Sequence, residues 1–131
     1  MVVIKSLAEL GTLIALSGDV DNEMLRAFDA RVEKLLDTGG ETKKATILLS
    51  THGGGVSFGE ALTERIRFLS RFVDLRIIAA TFVYSIGVKI FLALPRERRL
   101  ITPNGTIMIH SQTRSINSVG NISYDERERI L

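Results

Sequence analysis

The chain has 131 residues, with 17 Lys+Arg against 15 Asp+Glu and a formal net charge of +2, which gives little support for a nucleic-acid partner. It contains no cysteine, which excludes disulfides, a thiolate nucleophile and cysteine-based metal sites. Its two histidines, His52 and His110, lack the spacing of metal ligands, so we expect no metal and no cofactor. No apolar run is long enough for a membrane span, and the N-terminus does not resemble a signal peptide. We therefore expect one cytoplasmic domain over residues 1–131.

The first part of the chain predicts a strand, a helix and a second strand. Thr12–Leu16 is a short apolar strand, and Asp21 is expected to cap the helix that follows. Gly39-Gly40 is expected to end that helix, and Ala45–Ser50 is a buried strand that runs into Gly53-Gly54-Gly55. The apolar positions of the helix recur at helical spacing: Met24, Leu25, Phe28, Val32, Leu35 and Leu36.

A second helix is predicted directly after the glycines, because Ser57 and Glu60 form a capping-box pattern. Its predicted buried stripe is Val56, Gly59, Leu62, Ile66 and Leu69. Leu75–Ala80 then predicts a third strand, and Val88–Leu94 predicts a short buried helix that ends at Pro95.

The C-terminal part predicts two short strands, Arg99–Ile101 and Thr106–His110, on either side of a turn. Ser111–Ser123 is polar and is expected to be a loop or a mobile segment. A capping box at Ser123 predicts the start of a long helix in which the given chain ends. The alternation of strands and helices indicates an α/β domain with a mostly parallel sheet covered by helices on both faces.

Three features are candidates for chemistry. The turn Gly53-Gly54-Gly55 between a strand and a helix can present backbone N–H groups to an oxyanion or a phosphate, or it can be only a tight turn. Ser85 lies at another strand-to-helix turn, where it is either an exposed nucleophile beside the Ile86 N–H or an ordinary helix cap. His110 ends an apolar strand and is either a general base or a half-buried strand end. Acyl transfer needs all three features at one site.

Three segments together resemble the ClpP family of Clp protease proteolytic subunits. Leu49–Gly59 is similar to the family's strand, glycine turn and helix, and Tyr84–Gly87 is similar to its nucleophile segment. Pro103–His110 resembles its Pro-Asn-Ser-x-x-Met-Ile-His segment, and Ser85 and His110 are 25 residues apart, as in the family. The three segments also occur in the family's order.

The resemblance implies Ser85 as nucleophile, His110 as general base, and the N–H groups of Gly54 and Ile86 as the oxyanion hole. It implies the ClpP/crotonase fold, a spiral of ββα units. The implied activity is that of a serine endopeptidase that hydrolyses unfolded polypeptides through an acyl-enzyme. The expected partners are further copies of the chain in a ring and an AAA+ ATPase unfoldase.

The sequence also departs from the family. The third member of the family's triad, an acid, lies well beyond His110, and Asp125 is the first acid after that histidine. His52 stands where the family usually has proline, and Thr81–Tyr84 replaces a run of smaller residues. Two alternatives therefore stay open: a degenerate ClpP-like subunit that serves only assembly, and a crotonase-type enzyme acting on acyl-CoA thioesters.

Apolar residues beyond the needs of a small core predict contacts between subunits. We expect some of five residues to lie at such interfaces: Leu13, Phe68, Leu69, Phe72 and Phe91. Lys89, inside an apolar segment, is expected to extend its ammonium group to solvent, to pair with an acid or to face an interface.

Overall fold

The computed structural model describes residues 6–37, 43–109, 112–116 and 120–124. The strands are β1 (Thr12–Ser17), β2 (Lys43–Thr51), β3 (Val73–Tyr84), β4 (Arg99–Ile101), β5 (Thr106–Met108), β6 (Gln112–Ile116) and β7 (Gly120–Tyr124). The α-helices are α1 (Asn22–Asp37), α2 (Val56–Leu69) and α3 (Ile86–Phe91), and short 3₁₀ helices span Leu7–Glu9 and Arg96–Arg98. No helix in these ranges combines the length and the apolar character needed to cross a membrane.

The main sheet is parallel and has the strand order β1-β2-β3-β4, with β5 paired to the far end of β3. Ile14, Ile47 and Ile77 are aligned across the first three strands, and all three are fully buried. Parallel strands need crossover connections, and α1 and α2 provide them. The predicted α/β fold with a mostly parallel sheet is therefore confirmed.

The helices pack on one face of the sheet. Helix α1 contacts β1 and α2, and α2 contacts α3, which lies against β2 and β3. In β1, Ile14 and Leu16 are buried beneath the helices, whereas Leu13 and Ala15 on the opposite face are exposed. The predicted flanking helices are thus present, but the expectation that both faces are covered does not hold for β1.

Helix α2 starts two residues earlier than the capping box predicts. Its N-cap is Gly55, whose carbonyl accepts the N–H of Gly59 at 3.0 Å, and no side chain caps the helix. Ser57 therefore lies within the first turn. Val56 is exposed, and Thr63 takes its place in the buried stripe, with its hydroxyl donating to the Gly59 carbonyl at 2.8 Å.

Strand β3 is longer than predicted and contains an irregularity. Leu49 pairs with Ala79 and Thr51 pairs with Val83, so the single residue between them in β2 faces three residues, 80–82, in β3. The extra residues include Thr81, which has a φ of 66°, in a region that β-branched residues rarely adopt. Strand β3 pairs with β4 through residues 77–79, before the bulge, and with β5 through its last three residues, after the bulge.

The described residues of the polar C-terminal segment lie in strands, where a loop was expected. Strands β6 and β7 form an antiparallel hairpin in which Thr113 pairs with Ser123. Ser123 thus lies in a strand and does not cap a helix as predicted. The predicted helix end at residues 39–40 and the charged segment 125–131 lie outside the described residues.

Candidate active site

The glycine turn and the serine turn lie side by side at the carboxyl edge of the sheet, as the sequence predicts. A Cβ atom placed on Gly53 would be 2.9 Å from Ser85 Cβ and 3.3 Å from Ser85 Oγ. Helix α2 begins directly after one turn, and α3 begins directly after the other. Only glycine allows the backbone to approach the serine this closely.

Ser85 has a strained backbone conformation, with φ 57° and ψ −128°. L-amino acids rarely adopt this region, and side chains held in it are often functional. Ser85 occupies the N-cap position of α3, yet its hydroxyl makes no capping hydrogen bond. The ordinary helix-cap interpretation therefore fails. The main chain fixes the residue from both sides, since the Ser85 N–H donates to the Met108 carbonyl at 3.1 Å and its carbonyl accepts the Val88 N–H at 3.0 Å.

Two backbone hydrogen bonds join the glycine turn to Val20, which lies just before α1. The Val20 N–H donates to the Gly53 carbonyl at 2.9 Å, and the Gly55 N–H donates to the Val20 carbonyl at 2.8 Å. Between them, the N–H of Gly54 has no hydrogen-bond acceptor in the described part of the chain. The N–H of Ile86, the first of α3, lacks an acceptor within its helix because of its position.

Thr51, at the end of β2, contacts both the glycine turn and the serine turn. Its buried hydroxyl donates to the Gly18 carbonyl at 2.5 Å and accepts the Gly53 N–H at 3.0 Å. Its methyl group would be 2.5 Å from a Cβ placed on Gly87, so the first turn of α3 sits directly on it. Sequence reasoning missed Thr51, although a polar residue directly before a glycine turn and after an apolar strand was a signal available in the sequence.

Three aromatic side chains adjoin the serine turn, and we call His52, Phe82 and Tyr84 the aromatic cluster. The His52 and Phe82 rings are stacked, with centroids 3.9 Å apart and planes 17° apart. Tyr84 lies against both rings, with centroid distances of 5.3 Å to His52 and 5.6 Å to Phe82. All three are at least partly exposed, and Ser85 beside them is partly exposed as well.

His110 and Asp125 lie outside the described residues. The described chain does bring β5 to the serine turn, because the Met108 carbonyl accepts the Ser85 N–H. Within the described ranges, no group of three or more His, Asp or Glu side chains is arranged to hold a metal ion.

The site therefore offers a hydroxyl on a strained turn, a glycine backbone packed against it, and two backbone N–H groups at adjacent helix starts. Hydroxyl nucleophiles and backbone donors are the components of acyl transfer. By its architecture the molecule is a parallel α/β protein with a serine turn and a glycine turn at the carboxyl edge of its sheet.

A family model described as Clp protease matches residues 3–128. The chain belongs to the Clp protease family. It is 30% identical over 98 residues to the ATP-dependent Clp protease proteolytic subunits of Streptococcus pyogenes and Streptococcus pneumoniae. These matches cover 75% of this chain and 48% of each relative, so the chain spans about half the length of the curated relatives it matches.

Solved structures show the same fold. ClpP1 from Listeria monocytogenes superimposes with a TM-score of 0.64 at 23% identity, covering 90% of this chain and 64% of that one. A point mutant of ClpP1 from the same organism gives a TM-score of 0.65 at 22% identity, over 90% and 63% of the two chains. The spiral expected from the resemblance is thus the fold of this chain.

Proposed function

We propose that this chain carries the nucleophile, Ser85, of a serine endopeptidase that hydrolyses peptide bonds of unfolded polypeptides. The observation that carries the proposal is the state of Ser85: a strained turn residue, partly exposed, with a hydroxyl free of any capping bond and packed against Gly53. Membership of the Clp protease family supports the reaction class.

In the proposed mechanism, Ser85 Oγ attacks the carbonyl carbon of the scissile bond while His110 accepts its proton. The N–H groups of Gly54 and Ile86 donate hydrogen bonds to the oxyanion that forms. The C–N bond then breaks, His110 gives the proton to the leaving amine, and the acyl group stays on Ser85. Water, activated by His110, hydrolyses this ester and regenerates the serine. We assign no described residue to the third, acidic position of the triad.

Bulk beside the nucleophile does not argue for a purely structural subunit. Tyr84 directly precedes Ser85, yet Ser85 remains partly exposed, so the aromatic cluster does not bury it. A crotonase-type reaction on thioesters needs no serine nucleophile, so it does not explain the strained conformation of Ser85.

We also propose that copies of the chain assemble into a ring. Leu13, Phe68 and Phe72 are 47%, 62% and 63% exposed, and surfaces of this kind are typical of protein interfaces. Leu69 and Phe91, the other two candidates, are buried in the core, so the proposed interface rests on the three exposed residues. Sedimentation velocity tests the assembly: we expect species well above 14.5 kDa, and a monomer of that mass at micromolar concentration contradicts it.

An ATPase unfoldase is the proposed partner. The streptococcal relatives are named ATP-dependent, and the glycine turn of this sequence has no following P-loop lysine, so this turn is not proposed as an ATP site.

The reaction is tested by degradation of an unfolded protein, followed by gel electrophoresis. We expect Ser85→Ala to abolish cleavage and Ser57→Ala to leave it unchanged, because Ser57 is exposed on α2 and caps nothing. Cleavage that survives Ser85→Ala, or an inactive parent protein with its partner present, overturns the proposal.

A further inference from the structure

Lys89 is the charged residue of the otherwise apolar helix α3, and the reaction proposed above gives it no role. Its Nζ atom lies 3.3 Å from Oε1 of Glu60, which belongs to α2. Both side chains are about half exposed to solvent. Lys89 thus pairs with an acid, one of the three roles expected from the sequence, and the ion pair joins α2 to α3.

A second contact between the same two helices lies one turn nearer to the serine turn. Ile86 precedes Lys89 by three residues, so the two side chains lie on the same face of α3. The Ile86 side chain packs directly on the backbone of Gly59, because a Cβ placed on Gly59 would overlap with Ile86 Cγ1. Gly59 is buried and directly precedes Glu60 in α2. A close packing contact and a neighbouring ion pair therefore hold α2 and α3 together.

The two helices also begin at the two proposed oxyanion donors. The N–H of Gly54 comes one residue before Gly55, the N-cap of α2, and the N–H of Ile86 is the first of α3. The spacing of the two N–H groups consequently depends on how the helices are docked. Backbone donors stabilise an oxyanion only at hydrogen-bond distance from it, and a displacement of about 1 Å lowers the reaction rate substantially.

We propose that Gly59 and Lys89 are positioning residues, which hold the N–H groups of Gly54 and Ile86 at the spacing that the oxyanion requires. This inference rests on the proposed peptidase function. Gly59 leaves room for Ile86 to lie against α2, and Lys89 holds the next turn of α3 through Glu60. Both residues act through the helices and make no contact with the substrate.

The two contacts should differ in the size of their effect. Gly59→Ala adds a methyl group where Ile86 already lies, so α3 must move away from α2, and we expect kcat to fall about thirtyfold. Lys89→Met keeps the apolar stem and removes only a half-exposed charge, so we expect kcat to fall about threefold. KM should stay unchanged in both variants, because the oxyanion is present only after the serine has attacked.

The first test measures cleavage of an internally quenched peptide, with kcat expressed per Ser85 that reacts with a small fluorophosphonate. Glu60→Gln should lower kcat by the same factor as Lys89→Met. The combination of Lys89→Glu with Glu60→Lys should restore kcat to within about twofold of the parent protein, because it restores the ion pair.

A second ion pair provides the matched control. Asp29 pairs with Arg65 at 2.9 Å, and the side chains are exposed to a similar degree, but this pair joins α1 to α2. Asp29→Asn should therefore leave kcat unchanged.

A peptide boronate distinguishes positioning from a purely structural role. Its boron atom bonds to Ser85 Oγ, and one of its oxygens takes the position of the oxyanion. We expect Gly59→Ala and Lys89→Met to weaken boronate binding by the same factors by which they lower kcat, and to leave competitive inhibition by the matching peptide amide unchanged. A purely structural role would reduce the number of reactive Ser85 side chains and leave kcat per reactive serine and boronate binding unchanged.

The outcomes separate the two proposals. If the parent protein neither reacts with the fluorophosphonate at Ser85 nor cleaves any peptide, the peptidase function is overturned, and the positioning role falls with it. If it does both, but Lys89→Met keeps the parent kcat and boronate binding, the positioning role is overturned and the peptidase function stands. The same holds if the exchange of Lys89 and Glu60 restores nothing, or if Asp29→Asn lowers kcat as much as Lys89→Met. The Lys89 variants decide the matter even if Gly59→Ala does not fold.

Discussion

The two ends of α2 lie in contrasting surroundings. At its start, on the carboxyl edge of the sheet, backbone meets backbone: Gly53 packs on Ser85, and Val20 binds both neighbours of Gly54. At its other end, α1 and α2 enclose an open groove of about 350 Å³. Large side chains line this groove, including Phe28, Val32, Leu36, Phe68, Leu69 and Phe72.

Two kinds of sequence constraint therefore act on the two ends of α2: small residues with unusual backbone angles at its start, and large apolar residues at its end. The carboxyl edge depends on the absence of side chains and on backbone angles, so even one added methyl group disturbs it. The groove depends on large side chains. Some of them are buried and stabilise the fold, and others are exposed and contribute little to stability. The following predictions separate these contributions.

The largest loss of stability is expected from Phe28, the most deeply buried residue that lines the groove. Phe28 is fully buried, so Phe28→Ala should lower the free energy of unfolding by about 4 kcal/mol through lost transfer energy and a cavity. Phe68→Ala, at an exposed position, should cost about 0.5 kcal/mol or less in the dissociated chain. Urea unfolding at low protein concentration measures both. Equal losses would mean that Phe68 also belongs to the core.

At the carboxyl edge, Gly54→Ala should destabilise more than Gly18→Ala. Gly54 has a φ of 155°, and an added Cβ would be 2.5 Å from the Val20 carbonyl oxygen. Gly18 has a φ of 98° with nothing within 4 Å of an added Cβ. We expect losses of about 3 and about 1 kcal/mol, since only the first variant adds a backbone clash to strain. Similar melting temperatures for the two variants would show that the Val20 contact is loose.

Thr51 should contribute mainly through its hydroxyl. Thr51→Val keeps the shape but leaves the buried Gly53 N–H without an acceptor, for a loss of about 2 kcal/mol. Thr51→Ser keeps the hydroxyl and loses one methyl group, for about 1 kcal/mol. Denaturant unfolding gives the order. A serine variant less stable than the valine variant would contradict the proposed link between the turns.

The smallest expected effect reports the strain at Ser85. Ser85→Gly should be more stable than Ser85→Ala by about 1 kcal/mol, because only glycine adopts positive φ without cost. The matched pair Ser57→Gly and Ser57→Ala, within α2, should show the opposite order by a similar amount. Thermal unfolding of the four variants tests this. If alanine is preferred at both positions, Ser85 is not strained.

The sequence predicts the elements that follow from hydrophobic periodicity. Met24, Phe28 and Leu35 of α1 are buried at their predicted spacing, and β1 and β2 lie where their apolar runs predict them. The β6–β7 hairpin was missed because its strands are rich in polar residues and show no continuous apolar run.

Part of the site could also be predicted. The glycine turn and Ser85 each follow a strand, and the carboxyl ends of parallel strands meet at one edge of a sheet. The contacts within the aromatic cluster could not be predicted, because His52 and Phe82 are 30 residues apart and the β3 bulge decides how they face each other. The positive φ of Ser85 likewise comes from the tertiary structure.

The most direct test of the central claim is the site of fluorophosphonate attachment in the native protein, mapped by peptide mass spectrometry. We expect a single adduct on Ser85, lost in Ser85→Ala and strongly slowed in Gly54→Ala under conditions where that variant is folded. Normal labelling is expected in Gly18→Ala. An adduct on any other serine, or an unmodified Ser85 in the assembled protein, would contradict the assignment of the serine turn as the active site.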